Sequence, residues 1–350
     1  MDQLRIEVAD SLESVNDMLS ELGMTDGLPV VPPTQPRVGE ALRYLGWDPN
    51  RSIGKLPPKW AEVTAHHLAV NAVMAGCRPE FLPAVAAAIA GLAEEKFNLY
   101  GIQSTTGTAT PLAIVNGPIV GAIGLNAGAN CLGPGNRANA TIGRAIRLLL
   151  LNVGGATPGL LDMATMGQPG KYTFCFAENE EKSPWTPLHV DRGCRPDESA
   201  VTVVGAGGTV EIVDIASRSA EGLLTTIAGS MKIAGSLGGG TLLGGGEPLL
   251  LLPPEHAALC ARDGLTKSDV QRFLWERVRL PLAELSPDVA EHLVRQRTDG
   301  GAADPQGPVL AAERPEDVMI VVTGGVGAKA TYVPTWGGGT RAVTKKVPAL

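Results

Sequence analysis

The sequence predicts an α/β fold in layers, with mixed or mostly parallel sheet flanked by helices and with two similar lobes as one arrangement it allows. Three observations point there. Short apolar runs of strand length alternate with longer runs of helical period along most of the chain. A hydrophobic share of 44% against 19% charged supplies a sizeable core, which separates the chain from disordered sequences. Its 44 glycines among 350 residues exceed the usual ~7%, as expected where many tight turns join strands to helices. At this length one large domain and two closely packed lobes are both open. The division suggested by the alternation is 1–197, an N-terminal lobe with a Gly/Asn-rich loop, and 198–350, a C-terminal lobe.

A short amphipathic helix opens the chain. Asp26-Gly-Leu-Pro-Val-Val-Pro-Pro-Thr34 then carries a turn signal into an extended, proline-stiffened segment expected to lie against the body of the protein. Helical spacing runs from Trp60 to Ala75. Pro79 suits the first turn of a second helix reaching Glu95, with the hinge at Gly76-Cys77-Arg78. Leu112 to Asn116 reads as a buried strand, Arg137 to Val153 as a strongly apolar helix, and Lys171 to Ala177 as an alternating strand. In the second half, a strand at Val201 to Val204 and a helix near Ala220 to Ala234 lead into the glycine-rich stretch Gly235 to Gly246. A buried strand at Pro248 to Leu252 and helices at Pro254 to Arg262 and Lys267 to Arg277 follow. Asp299 to Gly307 reads as a loop, and a last strand, Val318 to Thr323, runs into Gly324-Gly325-Val326-Gly327. Each half holds a strand, a glycine turn and a helix, without a residue-level repeat.

Charge and composition narrow the function. A net charge of -7 would repel nucleic acid and anionic membrane, so neither is an expected partner. The N-terminus lacks the apolar segment of a signal peptide, and no apolar run reaches the ~20 residues that span a bilayer, which makes the cytoplasm the expected location. Cys77, Cys131, Cys175, Cys194 and Cys260 are far apart with no Cys-x-x-Cys pair; reduced thiols are expected rather than disulfides or zinc ligands. Long apolar stretches point to a homo-oligomer.

The densest candidate site is the loop from Gly124 to Asn139, which places Asn126, Asn130, Gly135 and Asn139 among glycines immediately before or within a helix start. Backbone N–H groups there, with the helix N-terminus and Arg137, suit a carboxylate or phosphate. The bland alternative is a Gly-Pro-Gly turn capped by Asn136. The loop is neither a Walker loop nor a dinucleotide fingerprint. Arg144 and Arg147 share one side of the helix with Arg137. Cys77 precedes Arg78 and the helix start at Pro79, a setting that stabilises a thiolate; the alternative is a buried small apolar residue closing a helical hairpin, since free cysteine is among the most buried types. Cys175 lies on the strand that ends in Glu178-Asn-Glu180-Glu181, where carboxylates suit general acid–base work or metal ligation, unless the run is a solvated loop. His189, close to Asp191, is the histidine best placed for catalysis, whereas His67 reads as a core or capping residue. Thr105 and Thr106 precede a strand and are secondary binding candidates. No histidine spacing suggests zinc and no cofactor is expected, with an oxygen-ligated divalent metal left open at the carboxylates.

Asp26-Gly-Leu-Pro-Val-Val-Pro-Pro-Thr34, Asn71-Ala-Val-Met-Ala-Gly-Cys-Arg-Pro-Glu80, Arg137-Ala-Asn-Ala-Thr-Ile-Gly-Arg144 and Gly167-Gln-Pro-Gly-Lys-Tyr-Thr-Phe-Cys-Phe-Ala-Glu-Asn-Glu-Glu181 resemble a functionally uncharacterised bacterial family. It is grouped with the UGSC-type (seleno)proteins, whose namesake selenocysteine/cysteine motif is absent here. The resemblance covers most of the chain and implies no mechanism. It implies histidines near Tyr100, Gly107 and Lys329, where this chain has none, and hence a lost or altered histidine-dependent step.

Together these readings lead to an enzyme for a small anionic, carboxylate-type metabolite, by lyase or hydrolase chemistry. The loop and Arg137 would hold the carboxylate, Cys77 or Cys175 would act as nucleophile or acid, and Glu178, Glu180 or His189 would move protons. Thiol redox chemistry with a small (seleno)protein partner and a non-catalytic ligand-binding or scaffold subunit are the alternatives.

Overall fold

The computed structural model of the chain describes residues 11–233, 235 and 246–349. Nearly all of the expected Gly235–Gly246 connection, Ala234 and the first part of the amphipathic opening lie outside the described residues.

The opening helix α1 (Leu12–Glu21) is N-capped by Ser11, and its Asn16 accepts from the Val30 amide at 2.6 Å. That bond, with Val31 N–H donating to Met74 O at 3.1 Å, lays the proline segment against the protein body as expected. After α2 (Gln35–Leu45), a hairpin forms from β1 (Ser52–Leu56) and β2 (Ala61–Thr64), the second strand taking up the first residues of the expected helix. The helix starts five residues later as α3 (Ala65–Ala75), because Thr64 and His67 form a reciprocal capping box and residues 61–64 bond to β1 instead. Gly76 ends α3 with φ 88°, the left-handed turn that hinges it to α4 (Leu82–Leu92).

α5 (Leu99–Ser104), β3 (Thr110–Asn116), α6 (Ile119–Ala122) and α7 (Arg137–Asn152) follow. The strand expected over 171–177 shrinks to β4 (Cys175–Ala177), since Gln168–Tyr172 closes into a helical turn through Lys171 N–H to Gln168 O and Tyr172 N–H to Pro169 O. The chain continues through α8 (Leu188–Asp191), β5 (Ala200–Ala206), β6 (Val210–Val213) and α9 (Ala220–Met231). Next come β7 (Leu249–Leu252), α10 (Pro254–Arg262) and α11 (Lys267–Arg277). A small pair, β8 (Arg279–Leu280) and β9 (Val309–Leu310), brackets α12 (Pro287–Asp299). β10 (Met319–Val322), β11 (Lys329–Val333) and β12 (Val343–Lys346) end the chain.

Two four-stranded mixed sheets, β12-β5-β3-β4 and β10-β7-β11-β6, form the centre. Side-chain alternation assigns their faces. Leu112, Ile114, Phe176 and Val204 of the first sheet share one core with Leu249, Leu251, Val321 and Val333 of the second. The opposite faces, Ala113, Val115, Ala177 and Val203 in one case and Leu250, Leu252, Ile320 and Tyr332 in the other, pack on α3, α4 and α7 and on α9, α10 and α11. The result is helix, sheet, sheet, helix.

The sheets repeat one plan. In each, an edge strand (β4 or β10) runs parallel to its neighbour (β3 or β7), followed by two antiparallel pairings. The fourth strands are exchanged: β6 follows β5 but joins the second sheet, and β12 follows β11 but joins the first. A division at 197 therefore does not separate the sheets, because β5 and β12 of the first lie beyond it. No helix among the described residues is long and apolar enough to cross a membrane.

Candidate functional site

β3 and β4 are parallel neighbours with Val115 opposite Ala177, so their carboxyl ends open side by side, the position at which open α/β sheets receive ligands. β3 ends in buried Asn116, whose Nδ2 donates to Glu178 Oε2 at 2.7 Å and to Glu180 Oε1 at 2.9 Å. Gly117 N–H donates to the same Glu180 oxygen at 2.7 Å. Gly117 has φ +84°, and a Cβ there would lie 2.2 Å from Glu198 O, so the turn that aims this N–H admits only glycine. Leu188, the first residue of α8, donates its N–H to Glu178 Oε2 at 2.8 Å. The next residue, His189, is fully buried with Nδ1 3.7 Å from Glu180 Oε1.

The three side chains are unequal. Glu178 is 2% exposed, and burial pushes its carboxyl up from 4.5 to about 7. The charge of Lys267, the Leu188 amide and Asn116 oppose that rise, and Glu180 adds to it. One Glu178 oxygen, Oε1, and both His189 ring nitrogens are buried without a hydrogen-bond partner among the described residues. Such orphaned groups are uncommon in folded proteins, and here two of them, Glu178 and His189, fall in one cluster. Glu180, with a side chain 26% exposed, links the cluster to solvent. The arrangement can hold, donate and pass a proton near neutral pH.

The other sequence candidates lie apart from this cluster. In the Gly124–Asn139 loop the amide side chains turn onto the loop itself. Asn139 Oδ1 accepts from Asn126 N–H at 2.8 Å and its Nδ2 donates to Asn126 O and Cys131 O. Asn126 accepts from Gly128 N–H, Asn130 Nδ2 donates to Pro134 O, and Asn136 caps α7 by accepting from Asn139 N–H. Gly135 is exposed with φ +121°. The turn-and-cap reading accounts for these bonds. The three arginines of α7 are likewise engaged: Arg137 with Gly76 O at 2.8 and 3.0 Å, Arg144 with Asp26 at 2.8 Å, and Arg147 with Asp162 at 3.4 Å. Thr105 accepts from Gly107 N–H, Thr106 O accepts from Thr165 N–H, and Arg78 is exposed.

Cys77 and Arg137 do share a small cavity of about 150 Å³. The thiolate expected at Cys77 is nevertheless not favoured there. Its thiol donates to Thr141 O at 3.3 Å, and burial, outweighing Arg137, pushes its pKa up to about 12. Cys175 is buried and its pKa is also raised by burial. At pH 7.5 Cys77 is therefore expected to react with iodoacetamide on the order of a thousandfold more slowly than free cysteine, as peptide mass spectrometry of the folded protein would show; modification at the free-cysteine rate would contradict this.

Beside the carboxylate cluster lies a cleft of about 420 Å³ between α8 and the start of α11. Leu188, whose N–H anchors Glu178, forms part of its wall, and Lys267, Arg192 and Asp191 line it. Lys267 Nζ pairs with Asp191 at 2.7 Å and also donates to Thr186 O. Sequence reasoning selects Glu178, Glu180 and His189 but misses Asn116, Lys267 and Arg192. Asn116 closing an apolar run before Gly-Pro is the one local signal for them. Among the described residues no group of three or more His, Cys, Asp or Glu is placed to hold a metal ion. No protein-family model and no curated protein matches the chain.

Proposed function

We propose that the chain is an enzyme for a small carboxylate metabolite, working by proton transfer at the β3–β4 ends in lyase or hydrolase chemistry. One observation carries this reading: Glu178 is a buried carboxyl held near pH 7, tied through Asn116 to Glu180 and with one oxygen unpartnered. A group that titrates at the working pH serves both as acid and as base. Glu178 is the proton-transfer group, Glu180 is the member of the cluster that meets solvent, His189 lies buried beside Glu180, and Asn116 sets the geometry. The protonated thiols at Cys77 and Cys175 take no nucleophilic part.

The test is a turnover screen of small carboxylates by NMR, run on the wild type and on Glu178→Gln. At least one compound is expected to be consumed, a hundredfold or more faster by the wild type. Equal rates for the two proteins, or no consumption of any carboxylate, would overturn the proposal.

A further inference from the structure

The cleft between α8 and α11 carries a chemical signature beyond proton transfer. Its volume, about 420 Å³, falls in the range of small-molecule sites. Two cations and two carboxylates line it: Lys267 and Arg192, Asp191 and Glu316. Each retains hydrogen-bonding capacity. Lys267 has three N–H donors, of which Asp191 Oδ2 and Thr186 O take two. Arg192 directs one N–H of each terminal nitrogen to Ala342 O and to Glu247, which leaves three of its five donors, Nε–H among them. Asp191 accepts from Lys267 through Oδ2, and Glu316 meets exposed Arg314 at 3.4 Å through Oε1. Among the described residues neither Asp191 Oδ1 nor Glu316 Oε2 has a partner in these contacts. Trp185 and Met319 supply apolar wall.

A dicarboxylate in this space would face Asp191 and Glu316, and a diamine would face Lys267 and Arg192. A molecule with one charge of each sign satisfies both pairs, and its apolar part finds Trp185. We infer that the cleft binds a zwitterion of the α-amino-acid type, with its carboxylate on Lys267 and Arg192 and its ammonium on Asp191 and Glu316. This rests on the proposed function only in taking the bound molecule as the substrate; binding itself is read without turnover.

The experiment is calorimetric titration of the full chain with the L-amino acid that most raises its melting temperature in a screen of the twenty, alongside two analogues of that amino acid, one lacking the ammonium and one lacking the carboxylate. Saturable binding is expected, with each analogue bound tenfold or more weakly. Glu316→Gln, a change at the exposed rim, is expected to weaken binding severalfold, whereas Glu178→Gln binds as the wild type does. If Glu178→Gln binds normally but turnover is unaffected by it, the proton-transfer reading fails and the cleft assignment stands. Absence of binding by any amino acid, equal binding of the ammonium-free analogue, or full affinity in Glu316→Gln would overturn the assignment.

Discussion

Glu178→Gln is expected to be more stable than the wild type at pH 8 by about 3 kcal/mol, while losing ~10²–10⁴ in turnover. The stability difference follows from linkage. A carboxyl raised from 4.5 to about 7 by burial binds its proton more tightly folded than unfolded. Its stabilising contribution is complete below pH 4.5 and is lost as pH rises through about 7. Glutamine keeps the neutral form at every pH and preserves the acceptor for Asn116 and Leu188. Urea unfolding at pH 4 and pH 8 should therefore show a drop in wild-type stability that the variant lacks. Parallel pH profiles for the two proteins would remove the case for a strained proton-transfer group.

The second large effect lies away from the site. Asp162 is buried between Lys171 Nζ, at 2.7 Å, and Arg147 Nη2, at 3.4 Å, and so clips the 157–171 segment to α7. Burial lowers the Arg147 pKa and the Asp162 charge opposes that fall. Asp162→Ala leaves a buried Arg147 and a half-buried Lys171 without their carboxylate, and a loss of about 3–5 kcal/mol is expected. A lowered urea midpoint with unchanged slope would register it; a loss below about 1 kcal/mol would show that water replaces the carboxylate.

Much of this architecture was legible locally. α10 and α11 cover the residues expected of them, Pro254–Arg262 and Lys267–Arg277, with Thr266 and Asp269 closing a capping box at the start of α11. The alternation over 174–177 places Phe176 and Ala177 on opposite faces, and in the structure the first enters the inter-sheet core while the second packs toward the helices. What escaped is what long-range pairing decides. β6, β11 and β12 are four or five residues long and carry weak patterns of their own. They become strands because a partner edge from far along the chain is presented to them: β6 and β7 for β11, and β5 for β12. Ala61–Thr64 fits helical spacing yet pairs with β1 for the same reason.

The site divides in the same way. Glu178, Glu180 and His189 stand close in sequence and mark themselves by residue type. Asn116 meets Glu180 across 64 positions, and Lys267 meets Asp191 across 76, contacts that no local motif announces. Conversely, the asparagines of the Gly124–Asn139 loop have the composition of an anion site, but side chains so short reach their own backbone first. Cys77 has the neighbours of an activated thiol, but burial outweighs their field.

The most direct measurement is the ionisation of Glu178 itself, followed by carboxyl ¹³C shifts in glutamate-labelled wild type and assigned by difference from Glu178→Gln. One resonance, missing from the variant, should titrate near pH 7. If the resonance lost in the variant instead titrates near the ordinary 4.5, no carboxyl is poised at the β3–β4 ends and the proton-transfer account is wrong.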